Sequence, residues 1–326
     1  MEDKIFSVKD EDFEGSALEV FHFQYHSNSI YRSWVDHLGI APSKIATLQQ
    51  IPFLPISFFK THRVTTTEFE PVAIFESSGT TGSSSSRHYL KSMDIYRKSF
   101  LKGFEYIYGD PDQYIILGLL PSYLERKNSS LIVMVDELIR KSKHPSSGFY
   151  LSDHERLEKT LNQMQNERQK IFLIGVTFAL LDFVEKRQLK LHNAIVMETG
   201  GMKGRREELT RNEVHDILKR KLGVGSIHSE YGMTELLSQA YSRHEGIFQT
   251  PPWMKILLRD EEDPLSIKQN SSTNEVKGVM NIIDLANLYS CSFIATEDLG
   301  SLLPNGFTVD GRLDKSEVRG CSLLTI

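Results

Sequence analysis

Between Tyr114 and His228, short apolar runs alternate with apolar stripes at helical spacing, and this alternation restricts the possible fold more than any other feature. Tyr114 to Leu120 is an apolar run of strand length. Leu131, Met134, Val135, Leu138 and Ile139 then recur with the period of a helix, and Leu157, Leu161 and Met164 form a second stripe. Ile171 to Val176 reads as a strand, Phe178 to Lys186 as a helix, and Ala194 to Met197 as a strand. Val214, Ile217, Leu218 and Leu222 mark the next helix, and Val224 to His228 a further strand. Strand–helix alternation sustained over this length predicts an α/β fold, a parallel sheet covered by helices on both faces.

The flanking segments differ. Residues 1 to about 70 read as helices and loops, with aromatic and polar residues interleaved from Leu18 to Leu38. Pro52 and Pro55 make Ile51 to Phe59 an extended, buried connector. Val72 to Phe75 is a strand that feeds the polar loop Ser77 to Ser86. Beyond about residue 245, Phe248 to Leu258, Val276 to Leu285 and Ser290 to Thr296 look like strands without helices between them, the pattern of a mixed or antiparallel β subdomain. The expected division is an α/β core over 1–245 and a β-rich subdomain over 246–326.

Composition narrows the function classes. Lys and Arg number 38 against 43 Asp and Glu, a net charge of −5 that argues against general nucleic-acid binding by bulk charge. Cys291 and Cys321 leave no room for a disulfide framework or a four-cysteine zinc site, and they fit a reducing compartment. The acidic start Met1-Glu2-Asp3-Lys4 lacks the features of a signal peptide. The most apolar stretch, Ile171 to Val184, is too short to span a bilayer, and Asp182 interrupts it. The expected location is the cytoplasm.

Four short segments carry chemistry. The loop Ser77-Ser78-Gly79-Thr80-Thr81-Gly82, continued by Ser83 to Ser86 and Arg87, offers hydroxyls, exposed N–H groups and a positive end to a polyphosphate. It lacks the Gly-Lys-Ser/Thr of a Walker A loop, and a flexible Ser/Gly linker is its plain alternative. Tyr231-Gly232-Met233-Thr234-Glu235 follows a predicted strand and precedes an apolar stretch expected to be helical. Thr234 could hold a phosphate and Glu235 a Mg²⁺ there, or the pair could simply cap a helix. Thr296-Glu297-Asp298-Leu299-Gly300 places Asp298 to accept from ribose hydroxyls, or is a surface turn. In Gly311-Arg312-Leu313-Asp314-Lys315, Arg312 could reach a ribose or phosphate.

In this order the four segments resemble the motifs of the adenylate-forming superfamily of acyl-CoA ligases, luciferases and non-ribosomal adenylation domains: a Ser/Thr-rich phosphate loop, Tyr-Gly-x-Thr-Glu, a ribose aspartate and a Gly-Arg-x-Asp hinge. Leu120 to Arg126 and Glu198 to Arg205 narrow the resemblance to LuxE-type acyl-protein synthetases. It implies ATP and Mg²⁺ as cofactors and a carboxylic acid, in that family a fatty acid, as substrate. The acid is activated as an acyl-adenylate, held as a thioester on a cysteine near the C-terminus, and passed to an acyl reductase partner. Carried onto this chain, Ser78, Thr80, Thr81 and Arg87 hold the β- and γ-phosphates, Thr234 the α-phosphate, Glu235 the Mg²⁺, and Asp298 and Arg312 the ribose. Gly200 and Gly201 line the site near the adenine, and Cys321 carries the acyl group. Tyr123, Met233, Leu236 and Leu237 are candidates for the acyl slot.

The departures are specific. Ser-Ser-Ser-Arg stands where the superfamily usually has Pro-Lys, so Arg87 must supply that charge. Glu297 replaces a glycine. The sequence stops shortly after the hinge motif, so the superfamily's catalytic lysine, which lies in a further domain, has no counterpart; Lys203 is the first substitute and Lys315 the second. A CoA ligase releasing acyl-CoA is the alternative within the superfamily. Thr199-Gly200-Gly201-Met202-Lys203-Gly204 nearly matches a dinucleotide fingerprint and keeps a nicotinamide oxidoreductase as a rival.

Overall fold

The computed structural model describes residues 1–77, 85–121, 128–200, 209–269 and 275–313. In chain order the strands are β1 (Leu54–Pro55), β2 (Ala73–Glu76), β3 (Arg87–Leu90), β4 (Tyr114–Leu119), β5 (Gly148–Phe149), β6 (Lys170–Val176), β7 (Ala194–Thr199), β8 (His228–Tyr231), β9 (Ala240–Ser242), β10 (Phe248–Gln249), β11 (Met254–Arg259), β12 (Val276–Asp284), β13 (Phe293–Leu303) and β14 (Gly306–Arg312). All of β4 is buried, and β6 is buried after its first residue. Strands covered on both faces need apolar side chains at every position, which is why these runs do not alternate.

One sheet holds twelve of these strands. β5, β4, β6, β7 and β8 lie side by side and parallel. The sheet continues through β9, β10, β14, β13, β12 and β11 with every pairing antiparallel, and β1 joins β13 in parallel. The expected parallel sheet with helices and the antiparallel strands beyond residue 245 are thus both present, hydrogen-bonded into one sheet. Helix Ser130–Ser142 packs on β4, and Thr177–Val184 packs on β6 and β7. Helix Arg211–Leu222 starts on a reciprocal capping box between Thr210 and Glu213 and stops at Gly223 in the left-handed region. No helix among the described residues is long and apolar enough to cross a membrane.

The N-terminal helices Phe13–Ser27 and Ser29–His37 are tied to the loop before β13 by two buried amides. Gln24 Nε2 donates to the carbonyls of Asn287 and Leu288, and Asn28 Nδ2 donates to the Ser290 carbonyl. The proline-flanked connector is extended only at its start, where Leu54–Pro55 forms β1, and Phe58 and Phe59 open a short helix to Thr61 against expectation; Tyr31 donates to the Pro52 carbonyl at 2.6 Å, and Trp34 to that of Phe53 at 3.0 Å.

Four further expectations need correction. The strand expected at 224–228 runs from His228 to Tyr231, because Gly223 ends the preceding helix and residues 224–227 make the connection. Phe248 to Leu258 is two strands, since Pro251 and Pro252 have no N–H to give a ladder. No helix follows Glu235; the chain turns into β9, with the N–H groups of Leu237 and Ser238 accepted by side chains. Thr296 to Gly300 is the middle of β13 rather than a turn.

Gly300 sits at a register irregularity between β13 and β14, and a Cβ there would run into the Thr308 carbonyl oxygen and the Met280 sulfur. We expect Gly300→Ala to destabilise the protein by about 1–3 kcal/mol, the usual cost of overpacking. A urea midpoint unchanged from wild type would show that the two strands relax around the methyl group.

Candidate functional site

A cavity of about 440 Å³ lies where the sheet passes from parallel to antiparallel, at the carboxyl ends of β7 and β8. Open α/β sheets bind ligands at such switch points, because the loops leaving neighbouring strands diverge there. Its wall includes Glu76, Ser77 and Ser86 from the β2–β3 hairpin, Thr199 and Gly200 after β7, and Gly232, Met233, Thr234 and Glu235 after β8. Thr296, Glu297 and Asp298 of β13 and Arg312 of β14 complete it.

The β2–β3 hairpin carries the Ser/Gly-rich loop. Its base is closed by Ser77 N–H to the Ser86 carbonyl and Ser86 N–H to Ser77 Oγ at 2.9 Å. Ser78, Gly79, Thr80, Thr81 and Gly82 lie outside the described residues, as do Tyr123, Gly201, Lys203, Lys315 and Cys321. Arg87 begins β3 and faces Glu76, 3.4 Å away, without lining the cavity. Next along that strand, the buried His88 donates from Nδ1 to the Thr234 carbonyl at 2.9 Å. This bond joins the hairpin to the Tyr-Gly-x-Thr-Glu segment.

The last two motifs meet the second through one carboxylate. Asp298, 6% exposed, accepts from Tyr231 Oη at 2.7 Å and from Arg312 Nε at 3.0 Å. The pairing of Asp298 with Arg312 follows from the register of β13 and β14, which sets them opposite each other. Arg312 remains largely exposed, and Asp298 is the described residue that accepts from its side chain. Tyr231 is itself buried, between Phe248 and Phe307.

Glu235 is buried, and burial pushes its carboxyl above the ordinary value while the Ser86 hydroxyl, Arg312 and Lys60 pull it down. Behind it, Asn287 Nδ2 donates to the Glu235 carbonyl at 2.7 Å. Asp284, fully buried, accepts from Leu237 N–H, Ser238 N–H, Ser238 Oγ and Ala286 N–H. Burial pushes its carboxyl up, and these four bonds hold it down. Sequence reasoning missed Asp284 and Asn287. The only signal was a pair of polar residues closing an apolar strand, which reads equally as a turn.

Among the described lining residues, the carboxylates Glu76, Glu230, Glu235, Glu297 and Asp298 outnumber the cations Lys60 and Arg312. A cavity of that balance suits a nucleotide accompanied by a divalent cation better than a bare polyanion. No group of three or more His, Cys, Asp or Glu side chains among the described residues could hold a metal by itself. A Mg²⁺ at Glu235 would therefore take one carboxylate and complete its shell from phosphate oxygens and water, its usual habit. Leu236 and Leu237, candidates for an acyl slot, are core residues away from the cavity, whereas Met233 lines it. Cys291 is fully buried, and burial pushes its thiol up to about 12.

The model of the acyl-protein synthetase family LuxE matches residues 6–325. No curated protein sequence matches the chain. Among solved structures, O-succinylbenzoate coenzyme A synthetase from Bacillus subtilis, in complex with ATP and magnesium, is 15% identical with a TM-score of 0.48, over 73% of this chain and 49% of that one. Fatty acyl-adenylate ligase from L. pneumophila, with acyl adenylate and pyrophosphate, is 13% identical with a TM-score of 0.49, over 77% and 52%. The Vibrio cholerae adenylation domain AlmE, with glycyl-adenosine-5′-phosphate, is 12% identical with a TM-score of 0.48, over 76% and 49%. The chain spans about half the length of these proteins.

His88 gives the site a pH signature. Burial lowers its pKa from 6.5 to about 4. The unfolded chain therefore binds this proton first, and the stability that His88 contributes above pH 6.5 is lost as pH falls through 4, on the order of 3 kcal/mol. We expect the thermal midpoint to drop across that window, and to drop less in His88→Gln. Parallel profiles would exclude His88 as the titrating group.

Proposed function

Because the chain belongs to the LuxE acyl-protein synthetase family, we propose that it uses ATP to activate a carboxylic acid as an acyl-adenylate at the sheet-switch cavity. The observation that carries this reading is the convergence of Ser77, Thr234, Glu235, Asp298 and Arg312, from four separate sequence segments, on one cavity wall.

The chemistry is a displacement at phosphorus. A carboxylate oxygen of the substrate attacks the α-phosphorus, the bond to the bridging oxygen breaks, and pyrophosphate leaves with that electron pair. The protein's contribution is placement and charge neutralisation. Asp298, oriented by Tyr231 and Arg312, accepts from the ribose hydroxyls, and Arg312 offers its guanidinium to the same sugar or to phosphate. Thr234, fixed through its carbonyl by His88, presents its hydroxyl to the α-phosphate. Glu235 would hold a Mg²⁺, which would supply charge neutralisation on the phosphates. Lys60 is a further cation on the wall, in a position that sequence analysis did not single out. Ser78, Thr80 and Thr81 hold the outer phosphates, with Arg87 beside Glu76 at the base of the same loop, and Lys203 is the first candidate for a catalytic lysine. Thr199 and Gly200 line this cavity, which supports reading the start of the near-dinucleotide fingerprint as part of an adenylation site.

In the second step the Cys321 thiolate attacks the acyl carbonyl, the thioester forms, and AMP departs from the carbonyl carbon. The thioester is the form an acyl reductase partner can take. Cys291 cannot serve, since its buried thiol stays protonated at neutral pH.

ATP–pyrophosphate exchange with a panel of acids tests the first step. We expect exchange that requires Mg²⁺ and falls at least about tenfold in Glu235→Gln, with little change in thermal midpoint, because the amide keeps the shape and removes the charge. Full exchange in that variant would remove Glu235 from the metal site.

The cysteines separate the second step from its alternative. Cys321→Ser should still form acyl-adenylate but lose hydroxylamine-sensitive acyl label, and Cys291→Ser should keep the label. Label surviving on the Cys321 variant, together with acyl-CoA release when CoA is added, would make the protein a CoA ligase.

A further inference from the structure

The ladder between β12 and β13 is interrupted beside the cavity. Asn281 pairs with Ala295 and Val279 with Leu299, so Met280 alone stands opposite Thr296, Glu297 and Asp298. At this point β13 bulges away from its neighbour. Bulges re-aim side chains next to functional sites, and they leave backbone groups without ladder partners. This one carries Asp298, the carboxylate that meets Tyr231 and Arg312 on the cavity wall.

One side chain takes up the groups the bulge displaces. Arg259 ends β11, on the far side of β12, and its guanidinium reaches past that strand to β13. Nη1 donates to the Met280 carbonyl at 3.0 Å and to Asn281 Oδ1 at 2.6 Å, and Nη2 donates to the Thr296 carbonyl. Thr296 completes the link. Its hydroxyl donates to the same Met280 carbonyl at 2.8 Å and accepts from the Asp298 N–H at 3.1 Å. A continuous run of hydrogen bonds therefore leads from Arg259 through Thr296 to the backbone of Asp298. Thr296 and Asn281 are buried, which shields these bonds from water.

A guanidinium is a demanding choice for three neutral acceptors. Burial lowers the Arg259 pKa from 12.5 to about 10, with the charge of Glu297 opposing. What the planar fork supplies in return is reach in two directions at once, so that both strands of the interrupted ladder are held by one rigid group.

We propose that Arg259 is a positioning residue for the nucleotide: acting through Thr296, it holds the β13 bulge in the shape that aims the Asp298 carboxylate at the ribose hydroxyls. The inference rests on the adenylation reading for the ribose contact, and it adds a residue that does not line the nucleotide cavity. The aim of a carboxylate has two parts. Tyr231 and Arg312 fix its oxygens, and Arg259 with Thr296 fixes the backbone from which it projects. The second part matters because a strand that slips by one residue sends its side chains to the opposite face.

Calorimetric binding of ATP and of 2′,3′-dideoxyATP, each with Mg²⁺, tests the role, since the second nucleotide lacks both hydroxyls. We expect wild type to bind ATP on the order of 10- to 100-fold more tightly, the worth of hydrogen bonds to a charged acceptor. Arg259→Met should bring ATP down towards the dideoxy nucleotide and leave the Kd of the dideoxy nucleotide where it was. The methionine suits the position, because Arg259 also lines a second cavity beside Ile267 and Val279. A merely structural role would weaken both nucleotides together. Thr296→Val, which keeps the shape and removes the hydroxyl link, should show the same selective loss, and it decides the matter alone where Arg259→Met does not fold. Asp298→Ala should flatten the preference too, and combining it with Arg259→Met should lower it no further, because residues that act through one contact are not additive. A preference for ATP that survives these Arg259 and Thr296 variants, or a parallel loss of both nucleotides, would overturn the positioning role and leave the adenylation reading standing. Equal binding of the two nucleotides by wild type would overturn the ribose role of Asp298 and the inference with it.

Discussion

The site is built on the buried carboxylate of Asp284. At the end of β12 it accepts two backbone N–H groups, from Leu237 and Ser238. A buried N–H must find a partner, and a charged acceptor is the strongest one available. These bonds to a side chain 46 or more residues away hold the stretch after Glu235 in the turn that leads into β9. Asn287 completes the clamp by bridging Leu237 N–H, the Glu235 carbonyl and the Cys291 carbonyl. Thr234 and Glu235 are therefore held from behind by the antiparallel half of the sheet, while the strand that delivers them belongs to the parallel half.

That arrangement explains why the cavity sits where the sheet changes character. Parallel strands end on one side and release their loops together, and antiparallel strands run past the same place and contribute side chains from their middles. Thr199, Gly200 and Thr234 come from strand ends, whereas Thr296 and Asp298 come from the middle of an eleven-residue strand. The β12 ladder shifts register between Ala295 and Leu299, so Asp298 is fixed instead by its pairing with Arg312 on β14 and by its bonds to Tyr231 and Arg312.

Electrostatics divides the cavity into two regions. Around Asp298 and Glu235, carboxylates have cations nearby, Arg312 and Lys60, and can serve a metal nucleotide. Around Glu230 and Gln239 no described cation pairs with the carboxyl, and the packing raises its pKa. The cavity thus has one end where carboxylates face cations and another where no described cation pairs with the carboxyl.

The sequence by itself determined the strand–helix alternation, the antiparallel run beyond residue 245, and the order of four motifs that proved to converge on one cavity. These are written in local periodicity and short contiguous words, where each residue's neighbours in sequence carry the signal. The tertiary structure decided what a local pattern cannot hold. It made Thr296 to Gly300 a strand instead of a turn, because β12 and β14 flank it. It replaced the helix after Glu235 with a clamp from Asp284 and Asn287. It set Arg312 opposite Asp298 through a register that neither segment encodes alone. And it brought Glu230 and Gln239 together over Gly232, where the absent side chain leaves a space that only the pairing of β8 with β9 creates.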